Sequence, residues 1–590
     1  MKENETAGSW TSRAVHNTAG FRSTEDIISA FEHDGYEVIK IVEYEGVRGF
    51  MAKSKTAFNY ETGERKLSYY VEGTSFQMGY LMGLLAPQTV ERMAVDYVYN
   101  FIPCMLKPDG DPEKFRLLWK VLWCFISLAT RWLRRKYPKD IPAMYAEEMK
   151  GLVAGCKKAT NGNTKVTFNK LWNLNTSFDL ILSLTYTNFG MSELERYVKK
   201  RLPWFNRTMM MMPAFCNGFS AFGAATASGN AHYFGRDFML STGNVLEFTA
   251  AMIIYNPVES FDGHKAVPFV SMAAPGFVGS LAAMNNHGIG MGVNTVPAAN
   301  CAPCRPGINS VLLVRHCAQY SQSAQEAVAI TTESQRGVSW LYIVADGTAD
   351  KAVVIECGKK EIHTDYLSYI PDNLKKLLPD QAFLKAHPSD IPQQMGLMQR
   401  WNDYRYPQAY MSFNKPLFEH FNKPYTDWQF SEKGYVDKKV TDTGCPFTYY
   451  FSPQREDKKD LLLVTNMYII PEIRLAMMNA STVKKANPAQ AIKIAKTTYD
   501  DVQWRYDVLN DELLNAYGHI DLAAAKDIIS FLRPDGKYPD YTEKNPTSSD
   551  GKVRTIQGTI SLCDLKNKVM ESHYGYYADA WLKLTLPQYL

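Results

Sequence analysis

The chain has 590 residues, with 65 lysines and arginines against 61 aspartates and glutamates, a formal charge of +4. Its apolar share of 46% is enough for a real core, and a charged share of 21% is too low for an intrinsically disordered chain. So small a charge over this length speaks against a nucleic-acid partner, which asks for a dense basic patch, and ten dilute cysteines exclude a disulfide scaffold.

From the amino terminus, the first twenty residues lack an apolar core, so no signal peptide is visible. The compartment is left unassigned: cytoplasmic, or secreted with a signal already removed. Residues 1 to about 212 read mainly helical. Ser23-Thr-Glu-Asp26 is a capping box ahead of Ile27, Ile28, Ala30 and Phe31. The apolar run 121–129 is about half the ~20 residues needed to span a bilayer. Arg131, Arg134, Arg135 and Lys136 follow it. Two readings stand for this run, a buried helix or a basic, Trp-bearing helix resting on a membrane or a lipid. Met149, Leu152, Val153 and Cys156 fall at i, i+3, i+4 and i+7, one stripe of an amphipathic helix.

Near residue 213 the texture changes. Segments 219–225, 231–238, 245–255, 267–272 and 289–296 predict successive strands, the first two joined as a hairpin by a turn at Ser228-Gly-Asn230. Helix is expected over 309–333, with Ser323 and Glu326 at capping-box spacing, then a strand pair over 339–361 turning at Asp346-Gly347. The span 362–460 is irregular and rich in Pro, Asp and aromatics, which suggests an insertion. Strand returns at 461–465, helix at 486–532, and 553–564 reads as a last strand. Runs of strands followed by runs of helices suggest an α+β fold.

A phosphate loop, a zinc-protease helix, a serine-hydrolase elbow and an EF-hand loop are all missing from the sequence. Cys301-Ala-Pro-Cys304 lacks a second pair at zinc-site spacing and reads as a local disulfide or two ordinary thiols. No metal and no cofactor is expected. Cys216, placed just before the first predicted strand, stands apart by context. Taken alone it is a small buried hydrophobe.

The segment from Cys216-Asn-Gly-Phe-Ser-Ala-Phe-Gly through Gly235-Arg-Asp237 resembles the start of the mature chain in the acyl-coenzyme A:6-aminopenicillanate acyltransferase-like autoproteolytic N-terminal nucleophile (Ntn) hydrolases, relatives of the choloylglycine hydrolases and penicillin V acylases. Other blocks resemble the family in order: 72–83 (Glu-Gly-Thr-Ser-Phe-Gln-Met-Gly), 148–155 (Glu-Met-Lys-Gly), 286–294 (Asn-His-Gly-Ile-Gly-Met-Gly-Val-Asn), 464–468 and 503–506. A phospholipase B-like protein is a second resemblance.

The resemblance implies an αββα four-layer sandwich and self-cleavage on the amino side of Cys216. It divides the chain into a mainly helical region 1–215 and a catalytic region 216–590 with an insertion at about 362–460. Cys216 would then carry both nucleophile and base, its new α-amine having a pKa near ~7.7–8. By the same resemblance Arg236 steadies the thiolate or the substrate carbonyl, and Asn294 and Asn466 offer side-chain amides, one to the oxyanion and one to the amine. Arg505 organises the nucleophile. The family's carboxylate three residues past the arginine is Met239 here, with Asp237 the candidate in its place, and a bulky Phe215 precedes the nucleophile. The implied activity is hydrolysis or transfer of an acyl amide through a Cys216 thioester, on a small-molecule or lipid acyl substrate. The alternatives are a lipid acylhydrolase of the phospholipase B-like kind, or a non-catalytic protein of the same fold in peripheral contact with a membrane.

Overall fold

The structure is a computed structural model that describes residues 20–59, 62–101, 116–186, 215–239, 243, 245–296, 298, 300–360, 395–406, 454, 456–470, 473, 504–530, 558–574 and 581–590. It is a mixed α and β molecule with two large sheets. Helix α1 (Thr24–His33) starts at the predicted capping box, Ser23 and Asp26 satisfying each other's backbone N–H. A meander follows, β1 (Tyr36–Tyr44), β2 (Val47–Phe58) and β3 (Arg65–Gly73). These three strands correct the helical reading of the first 212 residues. Their alternation is blurred because β3 is buried along almost its whole length. Then come α2 (Ser75–Leu85), α3 (Pro87–Arg92) running on through a π-turn at Met93–Tyr97, α4 (Arg116–Lys136), α5 (Ala143–Ala159) and α6 (Phe168–Tyr186).

The second half begins with the pair β4 (Phe215–Phe222) and β5 (His232–Met239). Cys216 therefore lies inside the first strand, not before it. The expected strand over 245–255 opens instead with a helical turn, α7 (Leu246–Thr249), before β6 (Ala251–Pro257). A small hairpin of β7 (Ser260–Phe261) and β8 (His264–Lys265) precedes β9 (Phe269–Ala273), β10 (Ala282–Asn285) and β11 (Ile289–Thr295). Helices α8 (Ser310–Tyr320) and α9 (Ala324–Glu333) come next, then β12 (Trp340–Asp346) and β13 (Lys351–Cys357). Most of the expected insertion lies outside the described residues, but inside it β14 (Leu397–Trp401) pairs with β13. The remainder is β15 (Leu461–Val464), α10 (Trp504–Asn515), α11 (Leu522–Ser530), β16 (Gly558–Asp564), β17 (Val569–Tyr574) and β18 (Leu582–Thr585). The strand at 558–564 is thus not the last.

One sheet runs β1-β2-β3-β6-β9-β10-β11-β12-β13-β14 and the other β15-β4-β5-β16-β17-β18. Pairing is antiparallel throughout both except for β3 with β6. The sheets touch where β11 and β12 meet β4 and β5. Helices α8 and α9 pack on the larger sheet, and α10 and α11 on the smaller.

The 72–83 and 148–155 motifs are explained by packing. Helices α2 and α5 cross at glycine pairs in i, i+4 register, Gly79 and Gly83 against Gly151 and Gly155. A Cβ at Gly79 would sit 2.1 Å from the Glu148 carbonyl oxygen, and one at Gly151 2.1 Å from that of Phe76. The Glu148 carboxylate forms a buried ion pair with Arg315 of α8 at 2.7 Å. Glu72, also fully buried, accepts from Arg48 and from the Tyr70 hydroxyl.

Gly79→Ala and Gly151→Ala each push a methyl into backbone that cannot retreat, a destabilisation of about 2 kcal/mol or more by denaturant unfolding. Gly20→Ala, with nothing within 4 Å, should stay within about 0.5 kcal/mol of the parent. Equal midpoints for all three would show that the helix crossing is not limited by these contacts.

Candidate active site

Cys216 pairs directly with Phe238 across the β4–β5 ladder, and Gly218 with Arg236. Directly opposed residues share a face, so Cys216, Arg236 and Phe238 look the same way, and alternation sends Asn217 and Asp237 to the other side. The first face meets the larger sheet, where a Cβ at Gly292 would lie 2.6 Å from the Arg236 side chain. That contact explains the glycine-alternating 286–294 motif: β11 is stripped of side chains where Arg236 crosses it.

Arg236 is fully buried. Its guanidinium donates to the Asn217 carbonyl at 2.9 Å and to the carbonyls of Asp237 and Val293. Burial pulls its pKa below the usual arginine range, opposed by Cys216 and Asp237.

The backbone N–H of Cys216 donates to Asn466 Oδ1 at 2.8 Å. Arg505 spans the same point, reaching the Cys216 carbonyl at 3.1 Å, Asn217 Oδ1 at 2.5 Å and Asn466 Oδ1 at 2.9 Å. Asn466 Nδ2 donates to the Thr295 carbonyl at 2.7 Å, and Asn294 Nδ2 to the Thr465 carbonyl at 2.9 Å. Each asparagine thus holds the residue beside the other, a reciprocal clamp between the two sheets. Asn294 Oδ1 is buried without a hydrogen-bond partner. The six sequence candidates converge on this junction, with one division. Asn466 and Arg505 bond the Cys216 backbone, Arg236 shares the face of its side chain and Asn294 holds the residue beside Asn466, while the Asp237 carboxylate lies on the far face, bonded to Asn217 Nδ2 at 3.0 Å.

Sequence reading missed the support of Asn466. Arg400 of β14 joins Glu356 of β13 at 3.0 Å, Glu456 at 2.5 Å and the Leu463 carbonyl at 2.5 Å. Glu356 accepts the backbone N–H groups of Ile469 and Ile470 at 3.0 Å. This buried network fixes the segment that carries Asn466, and nothing local in the sequence links residues so far apart. Ser220 hydrogen-bonds the His232 ring at 2.7 Å, and Asp350 lies 3.3 Å from the other ring nitrogen. Ser220 and His232 are both fully buried, so these contacts tie β4 and β5 to the turn before β13. Cys301 and Cys304 are free thiols, not a disulfide; Cys301 bonds the Ala298 carbonyl and Ser339. Among the described residues no cluster of His, Cys, Asp or Glu is arranged to hold a metal ion.

An apolar pocket opens beside Phe238, lined by Tyr97, Phe101, Trp123, Phe178 and Phe277. Asn309 reaches its wall, with Oδ1 capping α8 and Nδ2 buried without a hydrogen-bond partner.

No family model matches the chain. An uncharacterised protein of Archaeoglobus fulgidus is 28% identical over 550 residues, covering 93% of this chain and 68% of that protein. Among solved structures, a variant of the conjugated bile acid hydrolase of Clostridium perfringens is 11% identical, covering 61% of this chain and 89% of that one, with a TM-score of 0.28. The penicillin V acylase of Agrobacterium tumefaciens is 11% identical, covering 61% and 83%, with a TM-score of 0.27.

Burial raises the Asp237 carboxyl from 3.8 to about 7, against the opposing pull of Arg236, Asn217 and Arg505. A raised folded pKa means that the proton is held by the fold. The stability this contributes is complete below about pH 4 and is lost as pH rises through about 7. Asp237→Asn should therefore gain on the parent by a few kcal/mol as unfolding is followed upward from pH ~4. A constant difference across that window would show that Asp237 does not titrate there.

Proposed function

We propose that the chain is a cysteine Ntn hydrolase or acyltransferase that cleaves an acyl amide, built as an αββα sandwich and activated by cutting itself before Cys216. The observation that carries this reading is the side-chain acceptor on the Cys216 backbone N–H. An ordinary strand residue at that place would satisfy its N–H from the neighbouring strand. Here Asn466 Oδ1 takes it, with Arg505 bonded to the same oxygen. That arrangement suits an α-amine as well as an amide.

In the first step the Cys216 thiol adds to the Phe215 carbonyl carbon and the C–N bond breaks, moving the acyl group from nitrogen to sulfur. Water then hydrolyses the thioester, leaving a carboxylate on Phe215 and a free α-amine on Cys216. In turnover that amine accepts the thiol proton as the sulfur adds to the substrate's carbonyl. The tetrahedral oxyanion is met by the second N–H of Asn294 Nδ2, whose first is held by Thr465. Collapse expels the amine, which takes the proton back from the Cys216 ammonium. Water, or an acceptor amine, then resolves the thioester. The apolar pocket beside Phe238 suits the acyl part of the substrate. The alternative of a lipid ester changes only the leaving group, from amine to alcohol.

Intact-mass measurement of freshly purified protein should find fragments of 215 and 375 residues. Cys216→Ala should remain a single 66.9 kDa chain and turn over no acyl aminocoumarin. In cleaved protein, Asn294→Ala should lower kcat by about 100-fold or more with little change in KM. Turnover of the amide by Cys216→Ala would end the nucleophile assignment.

A further inference from the structure

We propose that the outward face of α4 docks the protein on an anionic lipid bilayer. The sequence left two readings for this helix, buried or membrane-resting, and the structure divides it between them. Trp119, Trp123, Ile126 and Thr130 are buried on its inner side. Leu117, Val121, Phe125, Leu128 and Trp132 are between 46% and 77% exposed. At 3.6 residues per turn these five fall within about 80° of arc and run about 22 Å along the helix. Among the described residues this second apolar stripe is turned to solvent, which the packing of a helix against its own chain does not call for.

Charge decides what it meets. The helix carries six lysines and arginines and no carboxylate. Arg134 turns inward to stack on Phe168 and Trp172. Lys120, Arg131, Arg135 and Lys136 are exposed along the stripe, and Lys136 stands over the Trp132 ring at 4.4 Å. An isologous pair of such helices would set these cations against their own copies. A surface of anionic headgroups neutralises them while acyl chains receive Phe125, Leu128 and Trp132. Among the described residues no helix is long and apolar enough to cross a membrane, so the contact is with one leaflet. On its inner side the same helix puts Trp123 into the apolar pocket. The proposal rests on this face alone and is independent of the catalytic reading.

The test is flotation of the full chain with vesicles of phosphatidylcholine plus phosphatidylserine, against phosphatidylcholine alone, at low and high salt. The parent should float with the anionic vesicles and lose binding as salt rises. Phe125→Ser with Trp132→Ser should cut vesicle partition by about tenfold or more with an unchanged thermal midpoint. Arg131→Glu with Arg135→Glu should remove the preference for phosphatidylserine. A parent that does not float overturns the proposal, and so do variants that float as the parent does. A parent dimer that the Ser variant converts to monomer, without vesicle binding, overturns it in favour of a second copy.

Discussion

The structure turns on a strand pairing that stops short. β15 and β4 are in register as far as Val464 opposite Gly218, which would bring residue 466 opposite residue 216. The chain leaves the sheet there, and the side chain of Asn466 takes over the task of backbone. A backbone carbonyl could accept only from where the ladder puts it. A side-chain carbonyl on a held loop keeps its position whatever happens to the peptide bond before Cys216. The loop is held from several directions, by Glu356 on two backbone N–H groups, by the Tyr468 hydroxyl on the Cys357 carbonyl, and by Asn294 on Thr465. A buried amide unsupported in this way would lose its geometry.

Two arginines divide the electrostatics across the sheet. Arg236 shares the inter-sheet face with Cys216, ringed by carbonyls that neutralise it only as dipoles. Arg505 comes from α10 and binds the backbone carbonyl of Cys216 and the side chains of Asn217 and Asn466. Asp237 is left with one partner, Asn217, and one carboxylate oxygen buried without any. Its depth outweighs both cations, which is why its pKa stands at about 7. The Cys216 backbone N–H is met instead by Asn466, which accepts without needing to ionise.

Sequence patterns picked out residues that the fold brings together better than they picked out the fold around them. The hairpin of β4 and β5, the β11 glycines and the residues Asn294, Asn466 and Arg505 were legible because each sits in a short motif with a local spacing. The glycines of α2 and α5 were visible too, though as a likeness and not as a helix crossing. What stayed hidden depends on distance in sequence. β1 to β3 join the sheet through the parallel pairing of β3 with β6, across some 180 residues. That pairing buries β3 on both faces, which erases the period of two. The network of Arg400 with Glu356 and Glu456 is illegible for the same reason, since charged residues in a sequence look like surface until their partners are placed beside them. The apolar run at 121–129 misled by half. Its composition is uniform, and only the packing tells which side of the helix faces inward.

The sheet order also bears on what a cut before Cys216 would do. Among the described strands, β1, β2 and β3 lie on the amino-terminal side of that bond, β4 begins one residue before it at Phe215, and the others lie beyond it. The β3–β6 ladder runs from Ser68 opposite Met252 to Gly73 opposite Pro257, so one sheet spans both sides. At the other end, Asp34 just past α1 accepts from the backbone N–H and the hydroxyl of Thr585 at 2.7 and 2.8 Å, and Phe31 packs on Tyr589. The ion pair of Glu148 with Arg315 is buried across the same division. Separating the two sides would strip a sheet, expose the α2–α5 crossing from its support and leave two charges unpaired in a dry interior, each a cost of several kcal/mol. The bond before Cys216 is therefore one that the fold could lose without coming apart. That is the property a chain needs if its nucleophile is to be made by breaking its own backbone.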